Sequence, residues 1–393
     1  MRKLQEKIDK VVDGTLLVIK LANKEELNII IDDIKTVLNK FNTLISQACK
    51  DFSDHIIVDS VDLTTIYVVL PEEIQSIERL AHSIYIEIQL SADKKLPESY
   101  LKCSIGSIKF SKNNDLSADK LLSRLLYSMN STNDPSYYCC YEENPIDIDK
   151  LKQGNINLNL LRASLVAKKA RFMYQPIIDR KSNKVIYHEC LLRIPDKDNN
   201  FISVGPMIQD AESKGLINIV DQTVIEMAVK ELTEDKNISL SVNISNIGVV
   251  NKKLLRKIEE LLNKYDVAKR LVIEITETSL NQNFLATEKF ITTLHSYGCS
   301  IALDDFGSGF TSFKQLLNLP IDIIKIDGSY IRDILANDNN KFFVKALINL
   351  ANNLGIKTVA EFVENGEIAE YLTEIEIDCM QGNYFLPASY EKV

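Results

Sequence analysis

The second half of the chain alternates apolar segments typical of buried strands with longer segments whose apolar residues recur at helical spacing. Strands are expected at residues 172–178, 185–194, 239–244, 271–276, 300–305, 321–327, 358–363 and 380–385. Helices are expected between most of them, at residues 220–232, 252–264, 284–297 and 342–354. Strands and helices alternating over roughly 240 residues match the size of a (β/α)8 barrel. The sequence therefore predicts an α/β fold with a C-terminal TIM-like (β/α)8 barrel.

The first half predicts a smaller α/β domain. Its strand patterns lie at residues 15–21, 64–70 and 101–108, and its helical patterns at residues 25–48, 73–90 and 117–129. Turn-rich, Pro-containing segments at residues 130–136 and 142–145 then interrupt the pattern. The predicted domains are therefore residues 1–140 and 161–393, joined by a linker and lead-in helix at residues 141–160.

Composition excludes several classes of protein. The net charge is −9 and the isoelectric point is near 5.2, so the chain lacks the basic surface that a general nucleic-acid binder needs, and no DNA partner is expected. No apolar run reaches about 18 residues, so no membrane span is expected. The seven cysteines show no CxxC or His-rich zinc spacing, which favours reduced thiols. A cytoplasmic location is expected, because the N-terminus lacks the apolar core of a secretory signal.

Charged and amide side chains occur at the ends of nearly all the strand patterns of the second half. They are Glu189, Arg193, Asn243, Glu274, Glu277, Asp304, Asp305, Lys325, Asp327, Glu361, Glu364 and Gln381. A single acid at such a position is usually a helix cap or a solvated loop charge. In a barrel, however, the carboxyl ends of the strands converge at one mouth, and catalytic groups come from several of them. The repetition of the pattern therefore predicts a site at that mouth.

The residue types at this mouth suit divalent metal ions. Oxygen ligands favour Mg²⁺, Mn²⁺ or Ca²⁺ over zinc, and four candidates form an all-oxygen set: Glu189, Asn243, Glu274 and Asp304. Asp305 and Glu361 add enough carboxylates for two ions. A two-metal site suits phosphodiester hydrolysis, in which Lys325 is a candidate to orient the attacking water or to neutralise a phosphate oxygen.

Eight short motifs follow one another in the second half. They are Tyr174-Gln175-Pro176-Ile177, Glu189-Cys190-Leu191-Leu192-Arg193, Val242-Asn243-Ile244-Ser245, Glu274-Ile275-Thr276-Glu277, Asp304-Asp305-Phe306-Gly307-Ser308-Gly309-Phe310, Lys325-Ile326-Asp327, Ala360-Glu361-Phe362-Val363-Glu364, and Gln381-Gly382 followed by Pro387. In this order they resemble the EAL-domain phosphodiesterases that cleave cyclic di-GMP. The resemblance covers residues 161–387.

The resemblance implies roles for individual residues. The metal ligands would be Glu189, Asn243, Glu274, Asp304, Asp305 and Glu361. The catalytic residues would be Glu361, Lys325 and Glu277, the last by holding the loop after Asp305. The substrate contacts would be Gln175, Arg193, Asp327, Gln381 and Pro387. The implied reaction is hydrolysis of cyclic di-GMP to linear pGpG with two Mg²⁺ or Mn²⁺ ions, in a homodimer.

Three positions depart from the family pattern. Cys190 replaces the Ala of the name-giving triplet, Phe362 replaces a usual Gly, and Asn383 stands where Tyr is frequent. Both Cys190 and Phe362 neighbour an inward-facing residue, so alternation predicts that they point outward. Neither substitution is then expected to remove a catalytic group.

The first half resembles a degenerate GGDEF domain, the ferredoxin-like fold of diguanylate cyclases. The signature position reads Asp62-Leu63-Thr64-Thr65-Ile66, without the two glycines and the acids that GTP and metal need, and the inhibitory Arg-x-x-Asp is missing at residues 54–57. The resemblance therefore implies no cyclase activity and a regulatory or dimer-forming role.

Two other functions compete with the phosphodiesterase. One is a receptor that binds cyclic di-GMP without cleaving it, and the other is a protein-interaction scaffold that keeps only the fold. The intact acid set favours the enzyme, because a receptor would tolerate loss of Glu361 or Lys325.

Overall fold

The computed structural model describes residues 2–11, 13–53, 55–74, 76–90, 101–111, 116–131, 137–143, 145–307 and 316–392, with the backbone alone for residues 281 and 282. The chain divides into two compact units, Met1–Ile148 and Asp149–Val393. Within the described ranges, no helix combines the length and the apolar character that a membrane crossing requires. Most of the turn predicted at residues 130–136 lies outside these ranges, and so do Ser308, Gly309 and Phe310 of the fifth motif.

The first unit is a sheet with helices on both faces. Its strands are β1 (Asp13–Leu21), β2 (Ile57–Asp62), β3 (Thr65–Pro71), β4 (Cys103–Ser111) and β5 (Tyr138–Cys140). Its helices are α1 (Arg2–Ile8), α2 (Lys24–Ile30), α3 (Ile34–Phe52), α4 (Ile77–Leu90) and α5 (Ala118–Ser131). The strand order is β2-β3-β1-β4-β5, with antiparallel pairs except for β4 and β5.

The apolar run of β1 is continuous because both of its faces are covered. Leu17 and Ile19 pack in the core formed with α2, α3 and α4, whereas Leu16 and Val18 pack in a second core formed with α1 and α5. Successive side chains of a strand point to opposite faces, so an unbroken apolar segment is the pattern of a central strand buried on both sides.

Two strands of the first unit were not predicted. β2 is mostly exposed or half-buried and carries polar residues at Asp59, Ser60 and Asp62, which hide its strand character. β5 is too short, at three residues, to show a period. The three predicted strands of this unit are present as β1, β3 and β4.

The second unit begins with α6 (Ile148–Val166) and contains a closed barrel. Its strands are β6 (Arg171–Asp179), β7 (Val185–Pro195), β8 (Phe201–Ser203), β9 (Leu240–Ile244), β10 (Leu271–Thr276), β11 (Ser300–Phe306), β12 (Ile323–Ile326), β13 (Lys357–Ala360) and β14 (Cys379–Met380). Its further helices are α7 (Ile208–Ser213), α8 (Ile217–Glu234), α9 (Asn246–Val249), α10 (Lys252–Lys264), α11 (Glu277–Gln282), α12 (Phe284–Ser296), α13 (Gly328–Ile331), α14 (Asp338–Leu354) and α15 (Gly366–Glu374), with short 3-10 turns at Gly205–Met207 and Ala268–Arg270.

The predicted TIM-like barrel is confirmed, with one difference in its topology. The strands β7, β9, β10, β11, β12, β13 and β14 pair in parallel, but β6 runs antiparallel to both of its neighbours, β7 and β14, and closes the barrel. The connection from β6 to β7 explains the difference. Residues 180–184 are too few for a helical crossover, so the two strands form a hairpin.

Helix α10 shows how the surrounding layer forms. Leu254, Ile258 and Leu262 recur every four residues, so they lie on one face of the helix, and all three are buried against the barrel. The side chain of Asn251 caps the helix by accepting hydrogen bonds from the backbone amides of Lys253 and Leu254. The same spacing of apolar residues allowed this helix to be predicted.

The last strand is shorter than predicted. β14 contains only Cys379 and Met380, whereas the prediction extended to residue 385. From Gln381 the backbone turns, and the amides of Phe385 and Leu386 donate to the carbonyl of Gly382. Gln381 therefore stands at the barrel mouth, directly after its strand.

Candidate active site

Two layers of side chains fill the barrel interior. The lower layer is apolar and consists of Ile177, Tyr187, Val272, Ala302, Ile323, Val359 and Cys379. The side chain two positions nearer the mouth shares a face with each of these, because side chains of a strand alternate. This upper layer is polar and consists of Gln175, Glu189, Glu274, Asp304, Lys325, Glu361 and Gln381. The prediction that strand ends bring polar groups together is therefore realised as one continuous layer.

Lys325 lies at the centre of the upper layer and is completely buried. Its Nζ lies 2.7 Å from Glu274 and 2.8 Å from Glu361. It also lies 3.1 Å from Asp304 and 3.3 Å from Glu189. One ammonium group thus contacts four carboxylates. A buried carboxylate is strongly disfavoured unless it is paired, so Lys325 stabilises the acids around it.

Amide side chains fix the orientation of Glu189. The Nε2 of Gln381 donates to one carboxylate oxygen at 2.7 Å, and the Nδ2 of Asn243 donates to the other at 2.9 Å. Gln381 also donates to Gln175 at 3.2 Å, which links the antiparallel strand β6 to the site. These contacts were not predicted individually: the strand-end pattern pointed to Asn243 and Gln381, and the family resemblance pointed to Gln175.

Burial and mutual charge shift the titration of this layer. Burial raises the pKa of Glu274 to about 8, and it raises the pKa of Glu361 well above its usual range. Burial opposes the charge of Lys325, but the four carboxylates hold the pKa of its ammonium well above the usual value. For Glu189, burial is outweighed by Lys325 and by the two amide donors, which lower the pKa of this carboxyl group. The layer therefore keeps a permanent cation among its acids.

Asp304 and Asp305 reach the same site although they are adjacent in sequence. Asp305 has a left-handed backbone, with φ of 53°, and the pairing of β11 with β12 shifts its register between Leu303 and Phe306. Such irregularities redirect side chains next to functional sites. We expected the two aspartates to face one site because the strand ends after them. In the structure they do so because the strand pairing is irregular at this point, before β11 ends at Phe306.

Three carboxylates form a group that fits a divalent cation. Asp304, Asp305 and Glu361 each bring an oxygen atom within 4.8 Å of the others. In the same layer, Oε1 of Glu274 is buried and has no hydrogen-bond partner among the described residues. An unpaired buried carboxylate oxygen beside further carboxylates is the donor chemistry that hard cations prefer. The residues at this mouth therefore fit a site for a hard divalent cation.

The upper layer opens into a cavity of about 350 Å³. Glu189, Asp304 and Glu361 line it, so the carboxylates face a space that a ligand can enter. Phe362 lines it too and is 46% exposed, which corrects the prediction that it points outward. The prediction failed because β13 ends at Ala360 and Phe362 has a left-handed backbone, with φ of 54°. Alternation does not extend beyond the strand.

Cys190 points outward as predicted and is buried in the core between barrel and helices. This core lies outside the polar layer, so the thiol does not contribute to the mouth of the barrel. The replacement of Ala by Cys at this position therefore changes the packing around the barrel and not the acid set.

Gly307 is held from two sides, which positions the backbone next to the aspartates. Its amide donates to Glu277 Oε2 at 3.0 Å, and its carbonyl accepts a hydrogen bond from Tyr330 at 2.7 Å. The Tyr330 ring stacks on Phe343 with centroids 4.2 Å apart. Sequence reasoning identified Glu277 through the family resemblance. It missed Tyr330, since no spacing rule marks a tyrosine that contacts a distant backbone carbonyl.

Some predicted substrate residues do not line this cavity. Arg193 donates to the carbonyl of Leu192 at 3.0 Å, and Pro387 is exposed. Asp327 caps α13 by accepting from the amide of Ser329 at 2.8 Å. None of Arg193, Asp327 and Pro387 is among the described residues that line the cavity.

The sequence model of the EAL domain matches residues 158–388. The cyclic di-GMP phosphodiesterase PdeF of Escherichia coli is 33% identical over 238 residues, which cover 59% of this chain and 32% of that protein. This chain thus spans about a third of the length of that relative.

Solved structures that share this fold include two that illustrate the likeness. The PaMucR phosphodiesterase in complex with c-di-GMP gives a TM-score of 0.56 at 26% identity, and the alignment covers 59% of this chain and 97% of that one. The S helix-GGDEF-EAL portion of Vibrio cholerae LapD gives a TM-score of 0.55 at 19% identity, covering 97% of this chain and 91% of that one. At this identity the second likeness concerns the fold alone.

Proposed function

This chain belongs to the EAL domain family, and we propose that it is a metal-dependent phosphodiesterase that hydrolyses cyclic di-GMP to linear pGpG. The observation that carries the proposal is the group of Asp304, Asp305 and Glu361 above the buried Lys325, at the mouth of an open cavity. The names of PdeF and PaMucR support the choice of substrate.

The ligands of the proposed ions are taken from the polar layer and its rim. They are Glu189, Asn243, Glu274, Asp304, Asp305 and Glu361. The chemistry that Mg²⁺ or Mn²⁺ supplies when bound is activation of water and stabilisation of negative charge on the phosphoryl oxygens. The side-chain nitrogen of Asn243 donates a hydrogen bond to Glu189. Its side-chain oxygen is therefore free to coordinate a cation.

The remaining residues act by position and charge. Lys325 holds Glu361 by one oxygen at 2.8 Å, so the carboxylate has a fixed direction toward the cavity and can accept a hydrogen bond from a water there. Glu277 holds the backbone amide of Gly307, two residues after Asp305. Gln175 and Gln381 line the cavity and are proposed to contact the substrate, whereas Arg193, Asp327 and Pro387 are proposed to contact the parts of it that extend beyond the cavity.

A turnover assay with Mg²⁺ or Mn²⁺ tests the proposal. The protein should convert cyclic di-GMP to pGpG, EDTA should stop the reaction, and Glu361→Gln should abolish it. The control Glu260→Gln removes an exposed carboxylate from α10 and should retain the rate. Tight binding of cyclic di-GMP without formation of pGpG would mean that the protein is a receptor and not an enzyme. Absence of binding would favour the scaffold function.

The first unit is proposed to be a GGDEF-like domain without cyclase activity that regulates or dimerises the protein. Its likeness to the LapD portion supports the fold in this assignment, and the missing signature residues support the lack of cyclase activity. Asp62, at the signature position, accepts hydrogen bonds from the amide and hydroxyl of Thr64 in the turn between β2 and β3, so its side chain serves the turn. Asp62→Ala should leave phosphodiesterase turnover unchanged. Light scattering tests the proposed homodimer, which a fully active monomer would contradict.

A further inference from the structure

Phe362 adopts a conformation that its side chain disfavours. Its φ is 54°, in the left-handed region where a β-carbon crowds the backbone and which bulky residues rarely occupy. Strained residues persist when the surrounding structure holds them, and they concentrate at binding and active sites. Phe362 directly follows Glu361, so its strain lies beside the acidic group.

The packing of the ring fixes its position. The guanidinium of Arg332 lies 4.0 Å from the ring centroid and covers one face of it. Gly328 leaves the room that the ring occupies, since a β-carbon at this position would come within 2.2 Å of Cδ2 of Phe362. Both contacts come from the segment that begins with α13, so the ring rests on one rigid support.

The rest of the ring is available to a ligand. Phe362 remains 46% exposed and lines the cavity whose other walls include Glu361 and Asp304. A large apolar ring left in contact with water inside an acidic cavity contributes nothing to the core. Planar aromatic side chains with one free face bind nucleobases by stacking, and an Arg behind the ring favours this arrangement.

On the basis of the proposed function, we propose that Phe362 is a specificity-determining residue that stacks on a guanine base of the cyclic dinucleotide. The base would lie on the face opposite Arg332, next to the carboxylates at the cavity mouth. This role concerns recognition of the base, which the acidic group does not supply.

Steady-state kinetics of Phe362→Leu and Phe362→Tyr on the full chain test the stacking. Leucine fills similar space without a π-face, so KM should rise about 5-fold to 100-fold, more than kcat falls. Tyrosine keeps the ring and should restore most of the affinity. Phe342→Leu is the matched control, since Phe342 is 76% exposed on α14 and does not line the cavity.

The outcomes separate the two proposals. If the wild type turns over cyclic di-GMP and Phe362→Leu has an unchanged KM, the stacking role is wrong and the ring only fills space. An equal loss in the tyrosine and leucine variants would also refute it. If the wild type binds without turnover, the same variants are compared by Kd in calorimetry. A wild type that neither binds nor cleaves the dinucleotide refutes the proposed function and this role with it.

Discussion

Replacing Lys325 by methionine removes the ammonium group from the polar layer while nearly preserving its volume. Four carboxylates lie between 2.7 and 3.3 Å from Nζ, and Lys325 itself is fully buried. Loss of one partner from a buried ion pair costs about 3–5 kcal/mol, because the remaining charge is left without compensation. For a unit of this size, such a loss lowers the unfolding temperature by about 6–20 °C.

Differential scanning calorimetry of the full chain in EDTA measures this shift. Lys230→Met is the matched control, because Lys230 is an exposed lysine of α8 whose ion pair with Glu234 spans 3.8 Å and contributes little. Added Mg²⁺ or Mn²⁺ should stabilise Lys325→Met more than the wild type, since a divalent cation supplies the charge that the substitution removes.

The variant should also respond to pH in a defined direction. Burial already raises the pKa of Glu274 to about 8 in the presence of Lys325, and removal of the ammonium raises it further. A carboxyl group whose pKa is higher in the folded than in the unfolded protein binds more protons when folded, so stability rises as pH falls toward the unfolded value. Lys325→Met should therefore be more stable at pH 5 than at pH 8.

Two results would refute this reasoning. An unfolding temperature of Lys325→Met in EDTA within about 2 °C of the wild type would mean that the carboxylates do not depend on the ammonium for their stability. A metal-induced stabilisation no larger in the variant than in the control would mean that these acids do not form a cation site.

Three further substitutions test hydrogen bonds of the barrel unit, one beside the acidic site and two away from it. Tyr330→Phe removes the hydrogen bond to the Gly307 carbonyl but keeps the ring, so turnover should fall about 2- to 10-fold with little change in unfolding temperature. Asp221→Ala leaves the amide and hydroxyl of Ser245 unpaired and should lower the free energy of unfolding by about 1–3 kcal/mol in urea titration. Arg270→Ala removes a guanidinium that donates to the carbonyls of Leu232, Asp235 and Ile238, in the last turn of α8 and the loop after it. It should destabilise by about 2 kcal/mol in the same titration, and the folded variant should keep its turnover.

Strand periodicity accounts for much of what the sequence predicted. Polar residues at the ends of the strand patterns placed Glu189, Glu274 and Lys325 at the mouth of a barrel, and the structure buries all three in its upper layer. The antiparallel direction of β6 was missed, although the short connection after Asp179 determines it. Ion-pair distances around Lys325 lie beyond sequence reasoning, because they depend on how strands distant in sequence align.

The errors occurred where regular structure ends. Phe362 and Asp305 both have left-handed backbones. The sequence pattern does not predict this conformation for an aromatic or an acidic residue. Asp305 was nonetheless placed in the site, through the family resemblance and an expected strand end. Phe362 was placed outside, because alternation was carried beyond the last residue of β13.

The two-layer interior also limits which insertions and deletions the barrel strands can accept during evolution. Each acid stands two positions from an apolar neighbour on the same strand, as Glu274 does from Val272, while Ile273 and Ile275 pack against the helices outside. Inserting a single residue between Val272 and Glu274 would turn the carboxylate toward the apolar core between the barrel and the helices. The same insertion would turn an isoleucine toward the cavity. Insertions and deletions should therefore accumulate in the connecting loops, and each strand should keep its length even where its residues vary.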